Sequence, residues 1–360
     1  MINAMKATVS RSRIRASVLC VFTAAAMLFA FAFPGCAARE EPVTAELFAM
    51  DTFIVLKAYG DNAADAVASS EETIKRLSRL LSVTDEGSEV YALDHADGAE
   101  TPVSPEVFDL ISRSLALSSE LGESFELTIY PVLRAWGFTT DNERVPADAE
   151  IEELLALVDD GSAVLNAEGR TVRLPAGAQI DLGAVAKGYA GDAAAELMRA
   201  NGVDSALLDL GSSTIVAIGA KPDGSAWRIA VKDPFGRSDR AGIIEATDVS
   251  VSTSGGYERY FVGDDGETYW HIIDPATGRP AKSGLVSVTV LCKSAFLGDA
   301  LSTALFVMGA EAAEAYWRAV GGFDYILITE EGKLIMTPGA AELFTPSGAY
   351  AQGEPAVIGR

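Results

Sequence analysis

Apolar and polar positions change period several times along this chain, and the changes mark its elements. Ala45 to Tyr59 alternates with the two-residue period of a strand and carries Phe48, Met50, Phe53, Val55 and Leu56. Asp61-Asn62 then cap a helix predicted to reach Leu81, and a loop follows from Ser82 to Ser88. Ser104-Pro105-Glu106 combines an N-cap, a first-position proline and an early acid, so a helix is expected from there to Gly122. An acidic helix near Asp148 to Val158 leads to a hairpin around Ala167-Glu168-Gly169.

The second half is rich in strands. They are predicted at Ser205 to Leu210, Thr214 to Ile218, Trp227 to Val231, Ile243 to Ala246, Val249 to Ser252, Tyr257 to Val262 and Thr268 to Ile273. Gly263-Asp264-Asp265-Gly266 joins the last two as a hairpin turn. After Val286 to Cys292, a helix from Ser294 to Met308 stops at Gly309; a further helix and a hairpin turning at Glu331-Gly332 follow. Strands paired through hairpins, with helices between groups of them, predict an α+β fold with mixed or antiparallel sheets.

Between the halves, Ile180 to Asp192 reads as a strand end, a glycine turn and a helix start in one run. Ile180 and Leu182 flank Asp181, Gly183 allows a close turn, and an Ala-rich helix continues to Asn201-Gly202. Orphan N–H groups at such a helix start attract phosphate, and Lys187 adds a positive charge there. A helix N-terminus simply packed under a sheet explains the same residues. The run matches neither a Walker loop nor the three-glycine dinucleotide fingerprint.

Charge narrows the choice of ligand. The 360 residues hold 28 Lys and Arg against 51 Asp and Glu, a formal net charge of −23. Four of those cations, Lys6, Arg11, Arg13 and Arg15, precede a long apolar run, so the remainder is more acidic still. Such a body argues against nucleic-acid binding, which depends on cations neutralising phosphates. If it binds an anionic phosphate ligand, a metal is expected to help.

The N-terminal pattern is that of an export signal: cations, the apolar run Ala16 to Phe33, then Pro34-Gly35-Cys36 and the charged Arg39-Glu40-Glu41. Gly35-Cys36 resembles a bacterial lipobox, with Cys36 as the lipidated residue, although Phe33 stands where Leu is usual. An uncleaved membrane anchor is the alternative. The expected division is a lipoprotein signal peptide at 1–35, a linker at 36–44, one domain at 45–338 and a C-terminal tail at 339–360. Cys292 is the one cysteine beyond Cys36, so neither an internal disulfide nor a cysteine metal cluster is expected there.

Three residues suggest chemistry. Asp299 and Thr303 are four apart on a predicted helix and share a face, offering two hard oxygens of the kind magnesium takes alongside water and phosphate. An exposed Asp and a Thr bonded back to its own helix is the plainer alternative. His271 ends the aromatic run Tyr269-Trp270-His271-Ile272-Ile273 and precedes the turn Asp274-Pro275-Ala276-Thr277-Gly278-Arg279-Pro280, a placement that suits a general base as well as a core histidine. His95 lies in the polar run Asp94 to Gly98 and reads as a solvated loop residue.

Taken together these runs resemble the ApbE family of exported FAD:protein FMN transferases. The resemblance spans about Ala45 to about Pro338. It is carried by Met50-Asp51-Thr52, Pro131 with Trp136-Gly137-Phe138, Asp181 to Gly188, Ser252-Thr253-Ser254-Gly255 with Tyr257-Glu258-Arg259, His271 with Asp274-Pro275 and Thr277-Gly278-Arg279-Pro280, and Asp299 to Thr303.

It implies an ApbE-like, T-fold-like architecture and a magnesium-dependent reaction. FMN passes from FAD to a Thr or Ser of a second exported protein, and AMP is released. By position, Mg2+ would be held by the Ala184 carbonyl, Asp299 and Thr303. FAD would lie against Met50, Ser124, Phe125, Glu126, Asp181, Lys187 and Ile273, and His271 falls where the family has its general base. The implied location is the outer face of the bacterial cell membrane, through the lipid on Cys36.

Several positions depart from the family pattern: Ser212-Ser213 after Gly211 where Gly-Asn is usual, Thr84 for an aromatic, Glu126 for Asp, and Tyr130 for Gly. They bear on adenine stacking and pocket shape, not on the metal positions. Two other activities use the same residues: a lipoprotein that holds FAD without turnover, and a pyrophosphatase that hydrolyses FAD to FMN and AMP. Retention of His271, Asp299 and Thr303 together favours catalysis over passive binding.

Overall fold

The structure, a computed structural model, describes residues 41–140 and 142–359. The signal segment and Cys36 therefore lie outside the described residues. Residues 42–360 make one compact unit.

Nine strands form the central sheet in the order in which the chain supplies them: β1 (Val43–Ala49), β2 (Thr52–Ala58), β3 (Ala206–Leu210), β4 (Thr214–Ile218), β5 (Val249–Gly255), β6 (Leu285–Cys292), β7 (Phe323–Thr329), β8 (Leu334–Met336) and β9 (Ala356–Val357). Every neighbouring pair is antiparallel except β8 with β9. The α+β expectation therefore holds.

The strands bury both faces, so their alternation sorts apolar residues into two cores. Val216, Val288, Val290, Tyr325 and Leu327 meet the helices Ala63–Leu80, Ala186–Ala200 and Ala295–Val320. Their sequence neighbours Ala217, Leu291, Ile326 and Ile328 point the other way. There they pack on a three-stranded sheet of Trp227–Val231, Gly242–Ala246 and Phe344–Pro346. Each fully buried aliphatic side chain of this kind contributes ~1.5–3 kcal/mol.

A third, smaller core holds Ile129, Val132, Trp136, Ile151 and Ile273, with Phe138, Phe261 and Tyr269 against it. Trp136 Nε1 donates to the Gly278 carbonyl at 2.8 Å, which ties the Tyr130–Trp136 helix to the turn after His271. This core supports the hairpin Tyr260–Val262 and Thr268–Trp270 from which His271 emerges.

Three expectations change and one holds. The single strand from Ala45 to Tyr59 is a hairpin, with Met50 and Asp51 at φ 53° and 56° in a two-residue turn. The turn shifts the alternation by one residue, so Phe48 and Phe53 form an edge-to-face pair on the outside, 62% and 77% exposed. Residues 180–182 make no strand; one parallel bridge, Ile129 to Gln179, is all the pairing there. The expected stop at Gly309 holds: at φ 78° and ψ 172° it breaks the Ala295–Val320 stretch into two helices. The expected tail at 339–360 is largely built in: Phe344–Pro346 pairs with Gly242–Ala246, Tyr350 is buried, and β9 closes the sheet edge.

Candidate active site

The Ala186–Ala200 and Ala295–Val320 helices cross closely because Gly188 lets them. A Cβ on Gly188 would stand 2.2 Å from the Ala295 carbonyl oxygen. Asp192, one turn further on, caps the second helix: its carboxylate accepts from Ser294 Oγ and Ala295 N at 2.7 Å and from Phe296 N at 3.1 Å. The crossing brings Asp299 against the start of the first helix.

Asp299 is buried, and both its oxygens are engaged. Oδ2 accepts the Gly188 N–H at 2.9 Å and Oδ1 accepts the Thr214 hydroxyl at 3.1 Å. Gly188 is the third residue of its helix, where the N–H has no intrahelical partner, and Asp299 supplies one. Thr303, on the same helix face as Asp299, shares a hydrogen bond of 3.1 Å with Ser254 Oγ, which also meets Ser302 Oγ at 2.8 Å. The three donors expected to hold a metal are thus an acid, a hydroxyl and a backbone carbonyl just ahead of the Ala186–Ala200 helix. Among the described residues no group of three or more His, Cys, Asp or Glu is placed to hold an ion. A metal held here would need phosphate or water oxygens to complete its shell, as magnesium does.

Electrostatics joins the expected residues. Burial pushes the carboxyls of Asp181 and Asp299 up, and the charge of Lys187 opposes that rise at both. The same Lys187, with Arg259, acts on His271, whose imidazole burial holds down to about 4. His271 Nδ1 and backbone N–H both face the Arg259 carbonyl, at 3.2 and 3.1 Å, so the ring is oriented from the neighbouring strand. Lys187 Nζ also donates to the Gly183 carbonyl at 3.2 Å, and the Asp181 carboxylate accepts the Gly183 N–H at 2.8 Å. Asp181, Lys187, His271 and Asp299 therefore share one electrostatic neighbourhood.

The remaining expected contacts stand in different settings. Met50 sits at the β1–β2 turn, its N–H donating to Ser78 Oγ at 2.9 Å. Thr52 beside it lies under the β3–β4 turn, where a Cβ on Gly211 would be 2.3 Å from Thr52 Oγ1. That turn leads to Thr214 and so to Asp299. Ser124 ends a short 3-10 turn, and Phe125 is buried in the main core. Ile273 is buried in the third core, so it and Phe125 can act only as walls.

Glu126 is tied into its own loop: Oε1 accepts from Thr128 N, Thr128 Oγ1 and Asp160 N at 2.9, 2.6 and 3.0 Å. Burial pushes its carboxyl up. A cleft of about 940 Å³ beside this knot is lined by Glu123, Glu126, Asp159, Asp160, Pro275 and Ala276, among others, and reaches neither His271 nor Asp299. His95 is exposed and stacks on Tyr91 with ring centroids 3.9 Å apart, away from these groups.

Sequence reasoning missed Thr214 and the carbonyl of Arg259. Neither has a local signal: Thr214 meets Asp299 only where β4 packs under the Ala295–Val320 helix, and Arg259 meets His271 only through the pairing of Tyr260 with Trp270.

A family model described as the ApbE family matches residues 50–327. An FAD:protein FMN transferase of Klebsiella pneumoniae (strain 342) is 34% identical over 301 residues, covering 82% of this chain and 92% of its own. One from Treponema pallidum (strain Nichols) is 33% identical over 299 residues, 78% of this chain and 82% of its own. Among solved structures, the ApbE protein of Thermotoga maritima matches with a TM-score of 0.78 at 31% identity, over 84% of this chain and 99% of that one. The flavin transferase ApbE from Vibrio cholerae matches at 0.75 and 26% identity, with the same coverage.

Proposed function

The chain belongs to the ApbE family, and on that premise we propose that it is an FAD:protein FMN transferase, which moves FMN from FAD to a Thr or Ser of an exported acceptor protein and releases AMP. The observation that carries the reading is the shared neighbourhood of Asp181, Lys187, His271 and Asp299. An acid pair, a cation and a neutral imidazole together suit attack by a hydroxyl on a pyrophosphate.

In this reading His271 is the general base. Held down to about 4, its imidazole is neutral at pH 7 and free to accept a proton. It takes the proton of the acceptor hydroxyl as that oxygen bonds to the FMN phosphorus; the bond from that phosphorus to the bridging oxygen breaks, and AMP leaves with its electron pair. Lys187 places positive charge beside the flavin phosphates, and Met50, Ser124, Phe125, Glu126, Asp181 and Ile273 form the walls against FAD.

Asp299, the Thr303 hydroxyl and the Ala184 carbonyl would hold Mg2+, a donor set of hard oxygens with a single carboxylate. When bound, the ion supplies charge neutralisation and polarisation at the pyrophosphate. The Gly188 N–H keeps Asp299 aimed at this position. Export and lipid anchoring at Cys36, on the outer face of the bacterial cell membrane, are proposed on the N-terminal pattern alone.

Incubation with FAD, Mg2+ and a candidate acceptor, followed by intact mass of both proteins and assay of AMP, tests the reading. Transfer gives an acceptor heavier by one FMN less one water, with an equal amount of AMP. Free FMN and AMP with an unmodified acceptor would mean hydrolysis instead.

A further inference from the structure

A second carboxylate stands behind Asp181, and the proposed chemistry does not use it. Asp94 closes the Glu89–Asp94 helix and is only 6% exposed. Its Oδ1 accepts the Ile180 N–H at 2.8 Å, and its backbone carbonyl accepts from the Gln179 side-chain amide at 3.3 Å. From the opposite side, the Leu127 carbonyl accepts the Asp181 N–H at 2.8 Å, and Ile129 bridges to Gln179. Residues 179–181 belong to no strand, so these few bonds are what fix the approach to the Gly183 turn.

The other oxygen of Asp94 is anomalous. Oδ2 is buried and has no hydrogen-bond partner. An ionised carboxylate would leave charge on an unsolvated oxygen, which costs far more than a neutral acid in the same place. The titratable groups that face Asp94 are Asp181 from the 179–181 segment, and Arg134 and Tyr130 from the Tyr130–Trp136 helix. Burial, with Asp181 adding to it, pushes the Asp94 carboxyl up to about 8.

We infer that Asp94 is a positioning residue for the flavin site: it holds Ile180 by its buried carboxyl group and so fixes where Asp181 stands. The consequence for FAD rests on the function proposed above. At neutral pH Asp94 is an uncharged acid, so negative charge at Asp181 is not opposed from behind. As pH rises through about 8, Asp94 ionises and a second negative charge appears beside Asp181, repelling the flavin phosphates. FAD affinity falls in the same range.

The test compares wild type, Asp94→Asn and Asp94→Ala by flavin fluorescence titration with FAD from about pH 6 to about pH 9, and by hydrogen exchange at the Ile180 amide. Asn keeps an acceptor for Ile180 but cannot ionise. Asp94→Asn should bind FAD like wild type near neutrality and lose the alkaline fall. Asp94→Ala should bind on the order of tenfold more weakly, with faster exchange at Ile180. An alanine variant with unchanged affinity and unchanged exchange would overturn the inference, and so would an asparagine variant that keeps the alkaline fall. If alanine prevents folding, the asparagine pH profile decides alone. Failure of wild type to bind FAD at any pH would count against the proposed function, and the Ile180 exchange rates would still decide the hold that Asp94 has on the segment.

Discussion

Gly188 donates its backbone N–H to Asp299 Oδ2 at 2.9 Å, across a helix crossing so close that no side chain fits between. One residue thus both sets the spacing of the two helices and aims the carboxylate. Gly188→Ala would press a methyl group onto the Ala295 carbonyl, 2.2 Å away. The expected cost is ~1–3 kcal/mol of stability from overpacking, measured by denaturant unfolding. A variant as stable as wild type would show that the helices are not held at this distance.

Asp299 itself is expected to matter for activity more than for folding. Asp299→Ala removes the one carboxylate of the proposed ion site and should abolish FMN transfer while circular dichroism stays unchanged. Excess EDTA should silence the wild type in the same way. Transfer that survives in the variant, or in EDTA, would remove the ion from this position.

Ser212 holds a left-handed backbone at φ 63° in the β3–β4 turn, its N–H bonded to Asp209 Oδ1 at 2.6 Å. This conformation costs an L-residue ~1–2 kcal/mol, which glycine avoids, at some expense in chain entropy. Ser212→Gly should therefore raise stability by roughly 0.5–1 kcal/mol, read as a shift in the urea midpoint. An unchanged or lower midpoint would mean that the serine makes a compensating contact.

Much of this was legible beforehand, and what was not has a common cause. The four-residue spacing of Asp299 and Thr303 is a local property of one helix, and so is the cap signature of Ser104-Pro105-Glu106, which the structure confirms with Ser104 Oγ accepting from Val107 N. The β1–β2 hairpin was hidden because its two-residue turn interrupts the alternation by only one position. Thr214 and Asp94 could not be read at all. Their partners lie 85 and 86 residues away, at Asp299 and Ile180, and only the fold puts them together.

The anchor can be tested without any flavin. Cys36→Ser should release the protein from membranes or block its maturation, read by fractionation and intact mass. Unchanged mass together with unchanged membrane association would contradict lipidation at Cys36.

The central claim is that this site transfers FMN with His271 as its base. It is tested most directly by measuring transfer rate and FAD affinity on the same His271→Ala protein, with His95→Ala as control. The account predicts a loss of ~10²–10⁴-fold in rate with FAD affinity retained, because the flavin's proposed contacts lie elsewhere. The control should be nearly silent, since His95 is exposed and stacked on Tyr91. In wild type, protonation of His271 removes the base only as pH approaches about 4, so any fall in rate at higher pH belongs to other groups, such as the raised carboxyls of Asp181 and Asp299. A His271 variant with a normal rate, or one that fails only because FAD no longer binds, would contradict the account.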